Sequence, residues 1–289
     1  MTVLSALQAE LVTATNRLLA TAASLSADDL AAPSLLPGWT RRHVLAHVAG
    51  NAGSLSNLLI WARTGVRTPQ YASLDARTAE IEAAAALPAD RLLTGLHDGA
   101  DRLAAAVRDL PAAAWSAPVE GMRPPPHPAW YVLVRRLREI GFHHVDLAAG
   151  YAPADWPDPF VRRELHDCLA TWPHGHGPVS RLHFLPEPDA ATFPRTAPGG
   201  NSVSFAGSGR DREVVARWTG LGDGPILRGT SRDMLAWLTG RSGGEGVSLL
   251  PVGQPFIPGP EGGRLPEPPP WLTMPAPADL PATPPEDYP

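Results

Sequence analysis

Apolar residues recur with a helical period along the first half of the chain and lose that period in the second. Leu4, Leu7, Leu11, Leu18 and Leu19 fall on one face and predict an amphipathic helix to about Leu25. Ser26-Ala27-Asp28-Asp29 carries a capping signal, and Pro33, Pro37 and Gly38 then break the chain. With Thr40 as N-cap, a second helix runs to about Arg63 and stops at Thr64-Gly65. The helical pattern returns over Asp75 to Ala86 and, after Pro88, over Ala89 to Asp109. A proline-dense connection from Pro111 to Pro128 leads into a last helix from about Ala129 to Ala149, closed by Gly150. Four long helices, with polar groups turned inward on the second and the last, describe a four-helix bundle over residues 1–150 that carries a site between facing helices.

Beyond Tyr151 prolines and glycines become dense. Phe160 to Thr171 reads as a helix, while Ser180 to Phe184 and Glu213 to Trp218 read as short strands. Thr230 to Arg241 predicts one more helix, N-capped at Thr230 or Ser231 and ended at Gly240, which leaves Arg241 just past the stop. Together these describe a small α+β domain over 151–272. Proline-rich sequence from Pro251 onward ends in a tail, 273–289, that is extended or disordered or wraps the surface.

Composition narrows the function classes. The formal net charge is -5 and every basic residue is an arginine, with no cationic run, so a nucleic-acid partner is not expected. The absence of lysine, beside abundant alanine and proline, fits a high-GC bacterial source. One cysteine, Cys168, excludes an intrachain disulfide and suits a reducing compartment. No basic n-region precedes Leu25 and no apolar run approaches the roughly 18 residues of a membrane span, so the chain reads as soluble and cytoplasmic.

The candidate chemistry lies on the last helix of the bundle. Glu139 and His143 are four positions apart, so their side chains leave one helix face about 6 Å from each other. A carboxylate and an imidazole so placed can grip a divalent ion, with a third ligand from His43 or His47 on the second helix. Those two histidines lie one turn apart, and spacing does not choose between them. Two nitrogens and one carboxylate suit zinc with an open fourth position. Asp146 is placed to orient a ligating imidazole from behind. The bland alternatives are a buried carboxylate bonded to imidazole or a solvated helix face. Cys168 reads as a packed thiol, and Pro173-His174-Gly175-His176-Gly177 as an exposed turn.

Three motifs carry a family resemblance. Leu36-Pro37-Gly38-Trp39-Thr40-Arg41-Arg42-His43-Val44-Leu45-Ala46-His47-Val48-Ala49-Gly50-Asn51-Ala52, Arg138-Glu139-Ile140-Gly141-Phe142-His143-His144-Val145-Asp146-Leu147 and Leu235-Ala236-Trp237-Leu238-Thr239-Gly240-Arg241 resemble the mycothiol-dependent maleylpyruvate isomerase family. The resemblance implies a DinB-like four-helix bundle that binds a divalent metal, usually zinc, followed by a small sterol-carrier-like α+β domain. It places the metal ligands on His47, Glu139 and His143, and the functional arginine on Arg241. The implied cofactor is mycothiol, as thiol cofactor or co-substrate, and the implied partner is a small electrophile, with the chain a monomer or small homo-oligomer. Isomerisation of the maleylpyruvate type, mycothiol S-transfer and a non-catalytic binding or regulatory role all remain compatible with these motifs.

Overall fold

The computed structural model describes residues 2–187, 214–250, 264–270 and 275–288. It divides into two compact units, Met1–Ala152 with Ala278–Tyr288, and Pro153–Pro277.

The first unit is helical. Helix α1 (Val3–Ala23) starts where the Thr2 hydroxyl accepts the Ser5 N–H, and it buries Leu7, Leu11, Leu18 and Ala22 along one stripe. The short α2 (Ala27–Ala31) carries the capping box anticipated at Ser26, closed by Asp29. Helix α3 (Arg41–Thr64) ends at Gly65, whose φ of 73° is the left-handed cap that favours glycine. Helix α4 (Leu74–Ala85) and α5 (Ala89–Arg108) follow. Gly99 of α5 lets the backbones of α3 and α5 close up, because a Cβ there would sit 2.9 Å from the Ala49 carbonyl oxygen.

Helix α6 (Tyr131–Asp146) is buried on nearly every side. It packs against both α1 and α3, and Val132, Leu133, Leu137 and Ile140 of α6 are buried in the core together with Val44, Leu45, Val48, Leu55 and Leu58 of α3. Each such side chain contributes about 1.5–3 kcal/mol on burial. Only the stripe Arg135, Glu139 and His143 keeps partial exposure, so the other polar residues of α6 must find partners inside. His144 Nε2 lies 2.8 Å from the Thr21 hydroxyl, and its ring stacks on Tyr151 at 3.9 Å. The proline-dense connection is more ordered than its composition suggests. It holds a 3-10 turn (Ala112–Ser116) and a two-residue antiparallel ladder, β1 (Pro118–Val119) on β2 (His127–Pro128). Residues 278–288, part of the anticipated tail, pack with this unit: Trp130 Nε1 donates to the Pro281 carbonyl at 2.9 Å and its ring meets Tyr288 edge-on.

The second unit combines helices with a mixed sheet. Helix α7 (Asp158–Ala170) precedes β3 (Arg181–Leu185), β4 (Ala216–Trp218), β5 (Ile226–Thr230), α8 (Ser231–Leu238) and β6 (Ser248–Leu250). The strand order is β4-β3-β5-β6, with β3 parallel to β5 and the other pairs antiparallel. Leu182, Phe184, Trp218 and Leu227 fill the buried side of the sheet. Thr230 caps α8 through the Asp233 N–H, and Gly240 turns the chain with φ 71°. The strands β5 and β6 were not anticipated, since each is a short apolar piece between glycines and prolines with no period of its own. Glu213 and residues 271–274 lie outside the described residues. Among the described residues no helix is long and apolar enough to cross a membrane.

Candidate metal centre

Two polar tethers set the antiparallel register of α3 against α6. At one end Arg41 donates to the carbonyls of Leu147 at 2.6 Å and Ala148 at 2.8 Å, just past the C-terminus of α6. Nearer the other end Arg136, almost fully buried, donates from Nη1 to the Val48 carbonyl and to Asn51 Oδ1, both at 2.8 Å. Between these tethers His47 is level with Glu139 and His143. Its Nε2 lies 2.9 Å from Glu139 Oε2, and His143 Nε2 lies 3.3 Å from the same oxygen. One ligand atom from each of the three side chains falls within 4.8 Å of the other two. Among the described residues no other group of His, Cys, Asp and Glu side chains converges in this way.

His43, the rival of His47, is engaged elsewhere. Sitting at the third position of α3, it accepts the Thr40 backbone N–H at Nδ1 over 3.2 Å, with the Thr40 hydroxyl 2.7 Å from the same nitrogen. Its Nε2 faces Glu82 at 3.4 Å. Trp39 stacks on His43 and tilts against His47, so one indole walls both imidazoles. His174 and His176 lie in an exposed turn and Cys168 is a buried free thiol. Arg241 belongs to the second unit, where its Nη1 donates to the Thr239 carbonyl at 2.7 Å.

The electrostatics of the triad follow from burial set against hydrogen bonding. Burial alone raises the Glu139 carboxyl, but bonds from His143 and His47 outweigh it and hold the group well below the usual carboxylate range. Burial pulls His47 down to about 4, against the opposing pull of Glu139. His143 is also buried, yet Asp146 and Glu139 bias it upward. The triad therefore presents an ionised carboxylate between two imidazoles of different character.

Their second nitrogens explain the difference. His143 Nδ1 lies 2.8 Å from Asp146 Oδ2, an acceptor that favours the proton on Nδ1, so that the ring in its neutral form carries its lone pair on Nε2. His47 Nδ1 instead lies 3.1 Å from Arg77 Nη2. Guanidinium only donates, so here Nδ1 accepts and Nε2 carries the proton toward Glu139. The donor set fits a divalent ion: separations of 2.9 and 3.3 Å are close to those between ligands each roughly 2.0–2.2 Å from a tetrahedral zinc. Arg77 and Tyr71, whose ring centre lies 6.0 Å from the Arg77 guanidinium carbon, are neighbours that the spacing of residues did not reveal. Arg77 sits in α4 among ordinary charged residues, and nothing in its local pattern links it to a histidine on α3.

The chain matches the family model for the mycothiol maleylpyruvate isomerase N-terminal domain over residues 11–148. Residues 155–250 match the model for the C-terminal domain of the same family. No curated protein matches the chain. It is similar to a crystal structure of mycothiol-dependent maleylpyruvate isomerase at 28% identity and a TM-score of 0.72, covering 92% of this chain and 96% of that one. A histidine-to-alanine mutant of mycothiol-dependent maleylpyruvate isomerase matches at 27% identity and a TM-score of 0.71 over the same shares.

Proposed function

The chain belongs to the mycothiol-dependent maleylpyruvate isomerase family, and we propose that it is a divalent-metal enzyme that uses mycothiol to isomerise an unsaturated carboxylate from cis to trans. The convergence of His47 Nε2, Glu139 Oε2 and His143 Nε2 within 4.8 Å is the observation that carries this reading. In it His47, Glu139 and His143 hold the metal, Asp146 fixes the His143 ring, and Trp39 closes one wall. A bound zinc would supply an open coordination position in which a thiol loses its proton near neutral pH.

The chemistry then needs no protein nucleophile, in keeping with the burial of the single cysteine. The mycothiol thiolate adds to the activated double bond of the electrophile, forming a C–S bond and moving the π electrons onto the conjugated carbonyl as an enolate. The former double bond is now single and rotates. Collapse of the enolate reforms the double bond in the trans geometry and expels the thiolate, so no thiol is consumed. Arg241 serves this sequence by holding a substrate carboxylate or the developing enolate charge.

The test is metal analysis of protein purified without chelator, combined with an assay on mycothiol and maleylpyruvate. One divalent ion per chain and thiol-stimulated cis-to-trans conversion, with no net loss of thiol, is the expected result. A stable thiol conjugate would replace isomerisation by S-transfer. Lack of stoichiometric metal would remove both and leave a non-catalytic role.

A further inference from the structure

Two arginines flank the triad within the helical unit without a carboxylate of their own. Arg135 lies one turn before Glu139 and two before His143, so Arg135, Glu139 and His143 form one stripe on α6. Its Nη1 lies 3.2 Å from His127 Nε2. His127 is a neutral partner, because burial and then the charge of Arg135 push it down to about 3. Gly121 allows this arrangement, since a Cβ there would fall on the Arg135 guanidinium. From the other side Arg77 of α4 reaches His47 Nδ1 and its charge acts on the Tyr71 phenol, which in turn bears on Arg135. Among the described residues neither arginine has a carboxylate oxygen within 4.0 Å.

We propose that Arg77 and Arg135 form an anion-binding pair beside the metal triad, which takes a carboxylate of the substrate; this deepens the isomerase reading and rests on it for the identity of the ligand. The supporting argument is charge: a divalent ion in the triad is matched by Glu139 and Asp146, which leaves both guanidinium charges for an incoming anion. Such cations, being effectively permanent, seek a carboxylate wherever water is displaced, and a carboxylate can meet the guanidinium fork bidentately.

Titration calorimetry of zinc-loaded full-length protein with maleate, in the absence of thiol, reads the pair without turnover. Wild type is expected to bind maleate, and Arg77→Met and Arg135→Met each to weaken that binding at least tenfold while zinc content stays unchanged. Arg77→Lys should recover part of the loss. In turnover the Met variants should raise KM for an anionic electrophile and leave KM for the thiol alone. Arg77 is half-exposed on α4, so its variants decide the matter if Arg135→Met fails to fold. Unchanged maleate binding in zinc-loaded Arg77→Met, or no binding by wild type, overturns the pair. Arginine-dependent maleate binding without any isomerase activity leaves the pair standing and removes the isomerase reading.

Discussion

Asp146 Oδ2 accepts a hydrogen bond from His143 Nδ1 over 2.8 Å, and this fixes one imidazole in the tautomer that a metal requires. Supports of this kind typically change metal affinity 10–100-fold when lost. Asp146→Asn keeps the side-chain shape but replaces the anionic acceptor with a neutral amide. We expect a fall of roughly that size in zinc affinity, read by competition with a chelating dye, with helical content unchanged. Undiminished affinity would mean that His143 is held well enough by Glu139 alone.

The two α3 histidines should behave differently. His47→Ala, Glu139→Ala and His143→Ala are each expected to remove most bound metal, whereas His43→Ala should retain it. His43→Ala loses instead its contribution at the N-terminus of α3, worth about 1 kcal/mol of stability in denaturant titration. Equal metal retention in all four variants would refute the ligand assignment.

His127 makes stability depend on pH with a defined sign. Its pKa falls from 6.5 in the unfolded chain to about 3 in the folded one, so between these values the unfolded state binds the extra proton. Its contribution is fully present above pH 6.5 and is lost as pH falls toward 3, at up to about 1.4 kcal/mol per pH unit. In urea titrations of chelator-stripped protein, His127→Gln should lose less stability than wild type between pH 6.5 and 4. Parallel losses in the two proteins would show that His127 accepts its proton without cost.

Arg241→Ala should keep the metal, because none of the three triad residues belongs to the unit that carries Arg241. Losing a charge-assisted contact to the substrate should cost about 1.5–3 kcal/mol of transition-state stabilisation, roughly 10- to 150-fold in kcat/KM. Wild-type kinetics in this variant would take Arg241 out of the site.

Removal of residues 278–289 should uncover Trp130, whose indole N–H is satisfied by Pro281 and whose ring packs on Tyr288. A red-shifted emission, absent from the same truncation in a Trp130→Phe background, is the expected signature, together with a lower unfolding temperature. If emission does not move, other groups shield Trp130.

The bundle was legible because its apolar residues repeat with the helical period and its breaks fall at Ser26, Pro37-Gly38, Gly65 and Pro88. The pairing of Glu139 with His143 was equally open to reading, being a matter of one helix turn. Which α3 histidine joins them was not written in spacing, because His43 and His47 share a face. The choice depends on the long-range register that Arg41 and Arg136 set against α6. Arg77 escaped notice for the same reason: its meeting with His47 joins α4 to α3 across thirty positions. In the second unit the ladder of β5 and β6 stabilises three- to five-residue strands that have too few positions to show a period.

The return of residues 278–288 to the helical unit bears on how the protein is made. A ribosome delivers α1 to α6 long before it delivers the segment that seals Trp130, and the whole second unit is synthesised in between. The helical unit is thus completed only after most of the second unit has been made. Until then the N-terminal end of α6, the helix that carries Arg135, Glu139 and His143, lacks the Pro281 and Tyr288 contacts that complete the surroundings of Trp130.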